Sequence, residues 1–190
     1  MMEWYTAAER FTEALASSDP TPGGGAAAAQ TGAMGCALLL MAIGTTLKRK
    51  NLDREIQSDL EVSEKRLGSL KNQLKRYVQQ DAQAYAGYLT AKRLPKDDPA
   101  RDLALQSALE TAARVPADTA SAALQVLKEL DRIQPAIAPV ILADVHCAKH
   151  LLQAAIHCSV ENVRANIPFI TNEKLLEKLN QQIQLFLKSC

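Results

Sequence analysis

Residues 53–93 read DREIQSDLEVSEKRLGSLKNQLKRYVQQDAQAYAGYLTAKR. A heptad runs through their whole length. Leu60, Leu67, Leu74, Asp81 and Tyr88 share one seam position, and Ile56, Ser63, Leu70, Tyr77, Ala84 and Ala91 share the other. Asp53 is a helix N-cap residue, and no proline intervenes before Pro95, so the spacing predicts one helix of roughly 40 residues, on the order of 60 Å long. A helix of that length needs partners of similar length beside it. The expectation is therefore an all-α protein, an up-and-down bundle of long helices.

The flanking sequence agrees with that reading. Glu3 to Ser17 carries apolar residues at positions 4, 7, 8, 11, 14 and 15, a helical spacing. A second helix starts near Gly25, and Gly25, Ala28, Gly32 and Gly35 make a small-residue stripe for which a dimer axis is one use. Beyond Leu94-Pro95 and Asp98-Pro99, a helix from about Ala100 to Arg114 is expected to stop at Val115-Pro116. Asp118 to Leu130 forms the next. Pro135 opens another to about Ser159, kinked or beginning late because of Pro139, and Asn172 to Lys188 closes the chain. No segment alternates in the manner of a strand, and no linker divides residues 1–190, so a single helical domain is expected.

Composition narrows the function classes. The 190 residues hold 22 basic and 21 acidic side chains, a formal net charge of +1, which excludes a broad nucleic-acid footprint. Residues 20–47 carry no charge and are long enough to span a bilayer, but Pro, Gly, Ala, Thr and Gln fill their first half. The expectation is a central helix buried on all sides and no membrane span. Four cysteines without CxxC spacing and no signal peptide fit a cytoplasmic protein. His146 and His150 stand four apart, a spacing that can hold zinc, yet Asp144 lies on another face of the same helix and no HExxH is present, so no metal site is expected.

Two features invite chemistry. Asp81 interrupts an apolar seam, where a carboxylate costs several kcal/mol of desolvation unless it is paired, hydrogen-bonded or protonated. Asp144 does the same between Ile137 and Leu151 on a later helix. Two inward carboxylates can act as acid and base if they meet; otherwise each has its own ion pair. The second feature is Asp19-Pro20-Thr21-Pro22-Gly23-Gly24-Gly25, which leads into an alanine run. Such a helix entrance offers free N–H groups and a close approach, to an anion or merely to another helix. Asn162 and Asn166 either extend a polar surface or end a helix. Arg49 and Lys50, and Arg93 with its neighbours, complement helix dipoles or hold an anionic tail.

In order and spacing these segments resemble the cyclodeaminase/cyclohydrolase family of folate enzymes. The likeness runs from Phe11 to Ile170. It rests on Pro22-Gly23-Gly24-Gly25 with Met41, Asp81-Ala82-Gln83-Ala84-Tyr85, Arg93-Leu94-Pro95-Lys96, Val115-Pro116, Asp144 and Asn162-Val163-Arg164-Ala165-Asn166. The resemblance implies the fold of the C-terminal domain of formiminotransferase-cyclodeaminase, a homodimer built on long helices, and a folate site near the glycine loop. It implies no prosthetic group, a tetrahydrofolate derivative as substrate, and a separate formiminotransferase as a possible partner. The implied activity is formiminotetrahydrofolate cyclodeaminase, with methenyltetrahydrofolate cyclohydrolase, or a non-catalytic folate-binding or protein-binding dimer, as alternatives.

On that resemblance Asp81 is the main carboxylate and Asp144 its partner. Gly23, Gly24, Gly25, Asn162 and Asn166 line the substrate, Tyr85 or Tyr88 stacks on the pterin, and Arg49, Lys50 and Arg93 face the folate carboxylates. Three places depart from the family pattern: Ala26 and Ala143 stand where many relatives have serine, and Lys48-Arg49 stands where they have a Gly-Arg/Lys turn after the second helix.

Overall fold

A computed structural model describes residues 2–190 of the chain. Six α-helices are formed: α1 (Glu3–Ala16), α2 (Gly24–Leu47), α3 (Arg54–Lys92), α4 (Arg101–Ile133), α5 (Leu142–Asn166) and α6 (Glu173–Lys188), joined in part by single 3-10 turns. Among the described residues there is no strand.

Helices α2 to α5 run up and down. Cys36 meets the Leu67 carbonyl while Ala26 meets Asp81, so rising numbers in α2 face falling numbers in α3. The same reversal holds for α3 against α4, where Asp59 reaches Arg132 and Arg66 reaches Glu129. It holds again for α4 against α5, where Ala112 reaches Asn166 and Asp131 reaches Lys149. Antiparallel neighbours joined by short connections are the expected product of long amphipathic helices in one chain. Helix α6 lays Leu175, Leu179, Ile183 and Phe186 on the bundle, and α1 buries none of its residues.

The long helix α3 spans 39 residues, and Asp53 caps it by accepting from the N–H groups of Glu55 and Ile56 at 2.8 and 3.3 Å. Its seam is buried as the heptad requires: Leu60, Leu67 and Leu74 are fully inaccessible. The uncharged helix α2 is the core helix. It passes the length and composition test for a membrane span, and 56% of its apolar window is buried, chiefly against α3 and α5. Met34 and Met41 remain 44% exposed, so it is not buried on all sides as expected, because one face has no neighbouring helix among the described residues.

Two further expectations are corrected. The small-residue stripe of α2 is filled by the chain's own helices: a Cβ on Gly32 would come within 3.2 Å of Leu74 and 3.4 Å of Ala155, and one on Gly35 within 3.0 Å of the Ala148 carbonyl oxygen. The stripe is thus an internal packing seam and not a dimer axis. Helix α4 does not stop at Val115-Pro116 but runs straight through Pro116. An internal proline removes one N–H and frees the carbonyl four residues earlier, normally a cost of about 3 kcal/mol. Here the freed Ala112 carbonyl accepts from Asn166 Nδ2 at 3.2 Å, which satisfies it and lets the helix continue. Pro139, by contrast, does delay its helix, and α5 begins only at Leu142.

Candidate active site

The glycine entrance is the N-terminus of α2. Gly23 is the N-cap residue, and the Ala27 N–H already bonds back to the Gly23 carbonyl at 3.0 Å, leaving the earlier amides for other partners. Asp81 comes from the later part of α3 and takes one of them: its Oδ2 accepts from the Ala26 N–H at 2.9 Å. A carboxylate is suited to that place because the helix end carries partial positive charge. Its other oxygen, Oδ1, lies where a side chain at residue 25 would begin, so a Cβ on Gly25 would overlap it. No glycine has a positive φ. Gly25 is therefore required for space and not for backbone conformation.

Asn162 and Asn166 stand on the last turns of α5, across from the same glycines. Asn162 Nδ2 lies 3.3 Å from the Cβ position of Gly24 and donates to the Cys158 carbonyl at 2.8 Å. Asn166 Nδ2 donates to the carbonyls of Ala112 and Asn162, at 3.2 and 2.9 Å. Together with Pro20, Thr21, Tyr85 and Tyr88 these groups wall a cavity of about 880 Å³. That lies within the range of pockets that enclose a small-molecule ligand. The two tyrosines are tilted against each other with centroids 6.3 Å apart, and Lys92 Nζ stands 5.6 Å over the Tyr88 ring.

The far wall comes from residues the sequence reading missed. Leu105, Gln106, Leu109 and Ala112 of α4, and Phe169 and Thr171 after α5, complete the cavity. Gln106 clips that connection in place: its Nε2 donates to the Phe169 carbonyl at 3.2 Å, and its Oε1 accepts from the Thr171 N–H and hydroxyl, both at 3.0 Å. The spacing of Leu105, Leu109 and Ala112 was visible as a helical stripe, but nothing local distinguishes a stripe facing a cavity from one facing a core.

Several expected residues are not brought together. Gly23, Gly24, Gly25, Asp81, Tyr85, Asn162 and Asn166 share the cavity, but Asp144, Arg49, Lys50 and Arg93 are not in its lining. Asp144 sits in the first turn of α5, about 27 Å along that helix from Asn162. It cannot pair with Asp81 within one chain. Arg49 and Lys50 follow the C-terminus of α2, which at 24 residues puts them about 36 Å from the glycines. Arg93 caps the C-terminus of α3 and is exposed; the cations beside lining residues are Lys92, held over Tyr88, and Arg101, 3.9 Å from Asp102.

The electrostatics are one-sided. Asp81 and Asp102 line the cavity, and no lysine, arginine or histidine does among the described residues. Burial pushes the Asp81 carboxyl above its ordinary value, and the Ala26 N–H draws it partly back down. Such a group can hold a proton or release it near a reacting atom, and its charge favours a cation beside it.

From residue 7 to residue 185 the sequence matches the family model described as Formiminotransferase-cyclodeaminase. The chain belongs to this family. A methenyltetrahydrofolate cyclohydrolase from Methylorubrum extorquens is 39% identical over 112 residues, which cover 57% of this chain and 53% of that protein. The formimidoyltransferase-cyclodeaminase of Gallus gallus is 27% identical over 182 residues, covering 94% of this chain and 34% of that protein. The chain thus matches about half the length of the first relative and a third of the second. The crystal structure of formiminotetrahydrofolate cyclodeaminase from Thermotoga maritima has the same fold, with a TM-score of 0.86 at 24% identity over 95% of this chain and 88% of that one. In this family member the glycine entrance, the α3 aspartate and the α5 asparagines all meet at one cavity.

Proposed function

We propose that the cavity catalyses one-carbon chemistry on a tetrahydrofolate, as a formiminotetrahydrofolate cyclodeaminase. The observation that carries the reading is the Asp81 carboxyl, half-buried on the Ala26 N–H in a cavity lined, among the described residues, by no basic side chain. In this reaction N10 of 5-formimino-tetrahydrofolate attacks the formimino carbon and loses its proton. The carbon–nitrogen bond to the amino group then breaks, ammonia leaves, and the 5,10-methenyl cation remains. Asp81 is placed to take the N10 proton as general base and to return it to the amino nitrogen, which leaves as ammonia; ionised again by that transfer, it stabilises the cation that forms. The tyrosine pair offers a face for the pterin, and Lys92 at the rim offers a partner for the folate carboxylates.

A second reading is methenyltetrahydrofolate cyclohydrolase, favoured by the 39% identity to the Methylorubrum extorquens enzyme. There water adds to the methenyl carbon, Asp81 takes its proton and passes it to N5 as the bond from that carbon to N5 breaks, and the remaining hydroxyl proton is lost to water to leave the 10-formyl product. Both reactions pass through the cation, so one carboxylate serves either. Supplying purified protein with 5-formimino-tetrahydrofolate and, separately, with the 5,10-methenyl compound distinguishes them. Ammonia released from the first supports the cyclodeaminase, and accelerated 10-formyl formation from the second alone supports the cyclohydrolase. Tight folate binding with neither activity would leave a non-catalytic folate-binding protein.

The same reading includes a homodimer. Helix α1 buries no residue, and Met34 and Met41 lie 44% exposed on a face of α2 that bears no charge, which a second copy could cover without desolvating ions. Sedimentation at micromolar concentration tests it, and a sharp monomer would refute it.

A further inference from the structure

The orientations of the two asparagines are decided by their neighbours. A backbone carbonyl oxygen accepts only from a donor, so the side-chain atom facing it must be nitrogen. The Cys158 carbonyl claims Asn162 Nδ2, and the carbonyls of Ala112 and Asn162 claim both hydrogens of Asn166 Nδ2. Each asparagine is left with its Oδ1, and no donor among the described residues reaches either oxygen. Both side chains line the cavity. The site therefore presents acceptors from two adjacent turns of one helix, beside a carboxylate.

This arrangement depends on two backbone peculiarities elsewhere. Gly24 leaves room for the Asn162 amide, whose Nδ2 and Oδ1 lie 3.3 and 3.5 Å from where a Cβ would stand. Pro116 has no N–H to give to the Ala112 carbonyl, so that oxygen stays available for Asn166.

We propose that Asn162 and Asn166 form an acceptor pair that reads two adjacent N–H donors on the substrate's heterocycle, with Pro116 as the positioning residue that holds it. The inference rests on the tetrahydrofolate reading, because the pyrimidine edge of a reduced pterin carries its ring N3–H and its 2-amino group side by side. Residues four apart on a helix are neighbours on one face, and both side chains line the cavity, so two neighbouring donors on a ligand can meet their two oxygens. A ligand with acceptors at that edge would meet oxygen against oxygen and be rejected. Asn162 lies against Gly24 and Asp81 against Gly25, so the acceptor pair and the carboxylate border the same first turn of α2.

The test is a functional-group cycle. Binding of tetrahydrofolate and of its 2-desamino-2-methyl analogue is measured by calorimetry for the wild-type chain, Asn162→Leu, Asn166→Leu and Pro116→Ala. The wild type is expected to favour tetrahydrofolate by about tenfold or more, the worth of a hydrogen bond whose partner would otherwise be stranded. Each asparagine variant should bring the ratio close to one. Pro116→Ala should lower the ratio while raising the melting temperature, since the restored N–H competes for Ala112 and relieves the helix. This variant also serves if Asn166→Leu fails to fold. Equal wild-type binding of the two ligands, or an unchanged ratio in the variants, overturns the acceptor pair and leaves the folate reading standing. A wild type that binds neither ligand overturns the folate reading and the pair with it.

Discussion

Asp81 Oδ2 accepts a 2.9 Å hydrogen bond from the Ala26 N–H, across the interface between α3 and the first turn of α2. The contact explains two residues at once. Position 26 needs no side-chain donor to hold the aspartate, because its backbone does so, and position 25 must be glycine, because the rest of the carboxyl fills its Cβ space.

The glycines are consequently expected to differ sharply. Gly25→Ala should lower kcat by about 10²-fold or more, the usual result of displacing a catalytic group by an ångström. Gly44 lies in the same helix with nothing within 4 Å of its Cβ position. Gly44→Ala should leave turnover alone and add about 0.5–1 kcal/mol of stability, by removing a glycine from a helix interior. Steady-state kinetics and thermal melts on the two variants check both statements, and equal kinetics would contradict the packing argument.

Protonation of Asp81 links stability and activity with opposite signs. Burial raises the folded carboxyl above its ordinary 3.8, so the folded chain binds this proton more tightly than the unfolded chain does. The stability that results is complete below the ordinary value and is lost as pH rises through the raised one. Asp81→Asn removes this loss, so its stability relative to wild type should improve with pH across that window. Activity needs the ionised base, so wild-type kcat/KM should rise along an acid limb centred above the ordinary aspartate value. In Asp81→Asn the limb should vanish, with turnover lower by about 10²–10⁴-fold. Chemical denaturation and pH–rate profiles on the two proteins measure each trend.

At the other end of the α3–α4 pair lies a charge network remote from the cavity. Glu129 is 5% exposed and bonds Arg132 at 2.7 Å, while Arg132 also reaches Ser63 at 2.6 Å and both Asp59 oxygens at 2.8–2.9 Å. Burial alone would raise the Glu129 carboxyl, but its hydrogen bonds to Arg132 and Ser63 and the charges of Arg132 and Arg66 outweigh it and hold the group below its ordinary value. Its stabilising contribution is therefore present above the ordinary value and lost as pH falls through the lower folded one. Arg132 is itself 46% exposed and Arg66 still reaches Glu129 at 3.3 Å, so Arg132→Ala should cost about 1–3 kcal/mol, the range for leaving a buried acceptor under-satisfied. Arg66→Ala, whose side chain is 58% exposed, should cost under about 1 kcal/mol. Urea titration ranks the two, and the reverse order would show that Arg66 is the main partner.

Ser159 is the one buried side chain whose polar atom has no partner among the described residues. A hydroxyl in that position costs about 1–3 kcal/mol of desolvation with nothing returned. Ser159→Ala is expected to melt at the wild-type temperature or above it. A clear loss of stability would reveal a hydrogen bond that the hydroxyl makes after all.

Much of this was legible along the chain. The heptad of Leu60, Leu67 and Leu74 is local information, and it determined the long helix and the helical class because periodicity fixes which face must be buried. An aspartate in an apolar seam marked Asp81 as costly and hence suspect. The same logic applied to Asp144, and there it did not lead to the cavity: seam position tells how deep a carboxylate is, not which other groups stand at its height in the bundle. Pro116 was read as a stop because helix breaking is a local rule. What overrode it was Asn166, a donor 50 residues later that satisfies the freed carbonyl.

By itself, then, the sequence determined the helices, the buried faces and the suspect carboxylate, because each follows from spacing along one helix. Only the tertiary structure decided which of the marked residues meet. Antiparallel packing brings the start of α2, the later part of α3 and the end of α5 to one end of the bundle, and carries Arg49, Lys50 and Asp144 away from it. Membership of a site depends on position along the bundle axis, which no periodicity within a single helix encodes.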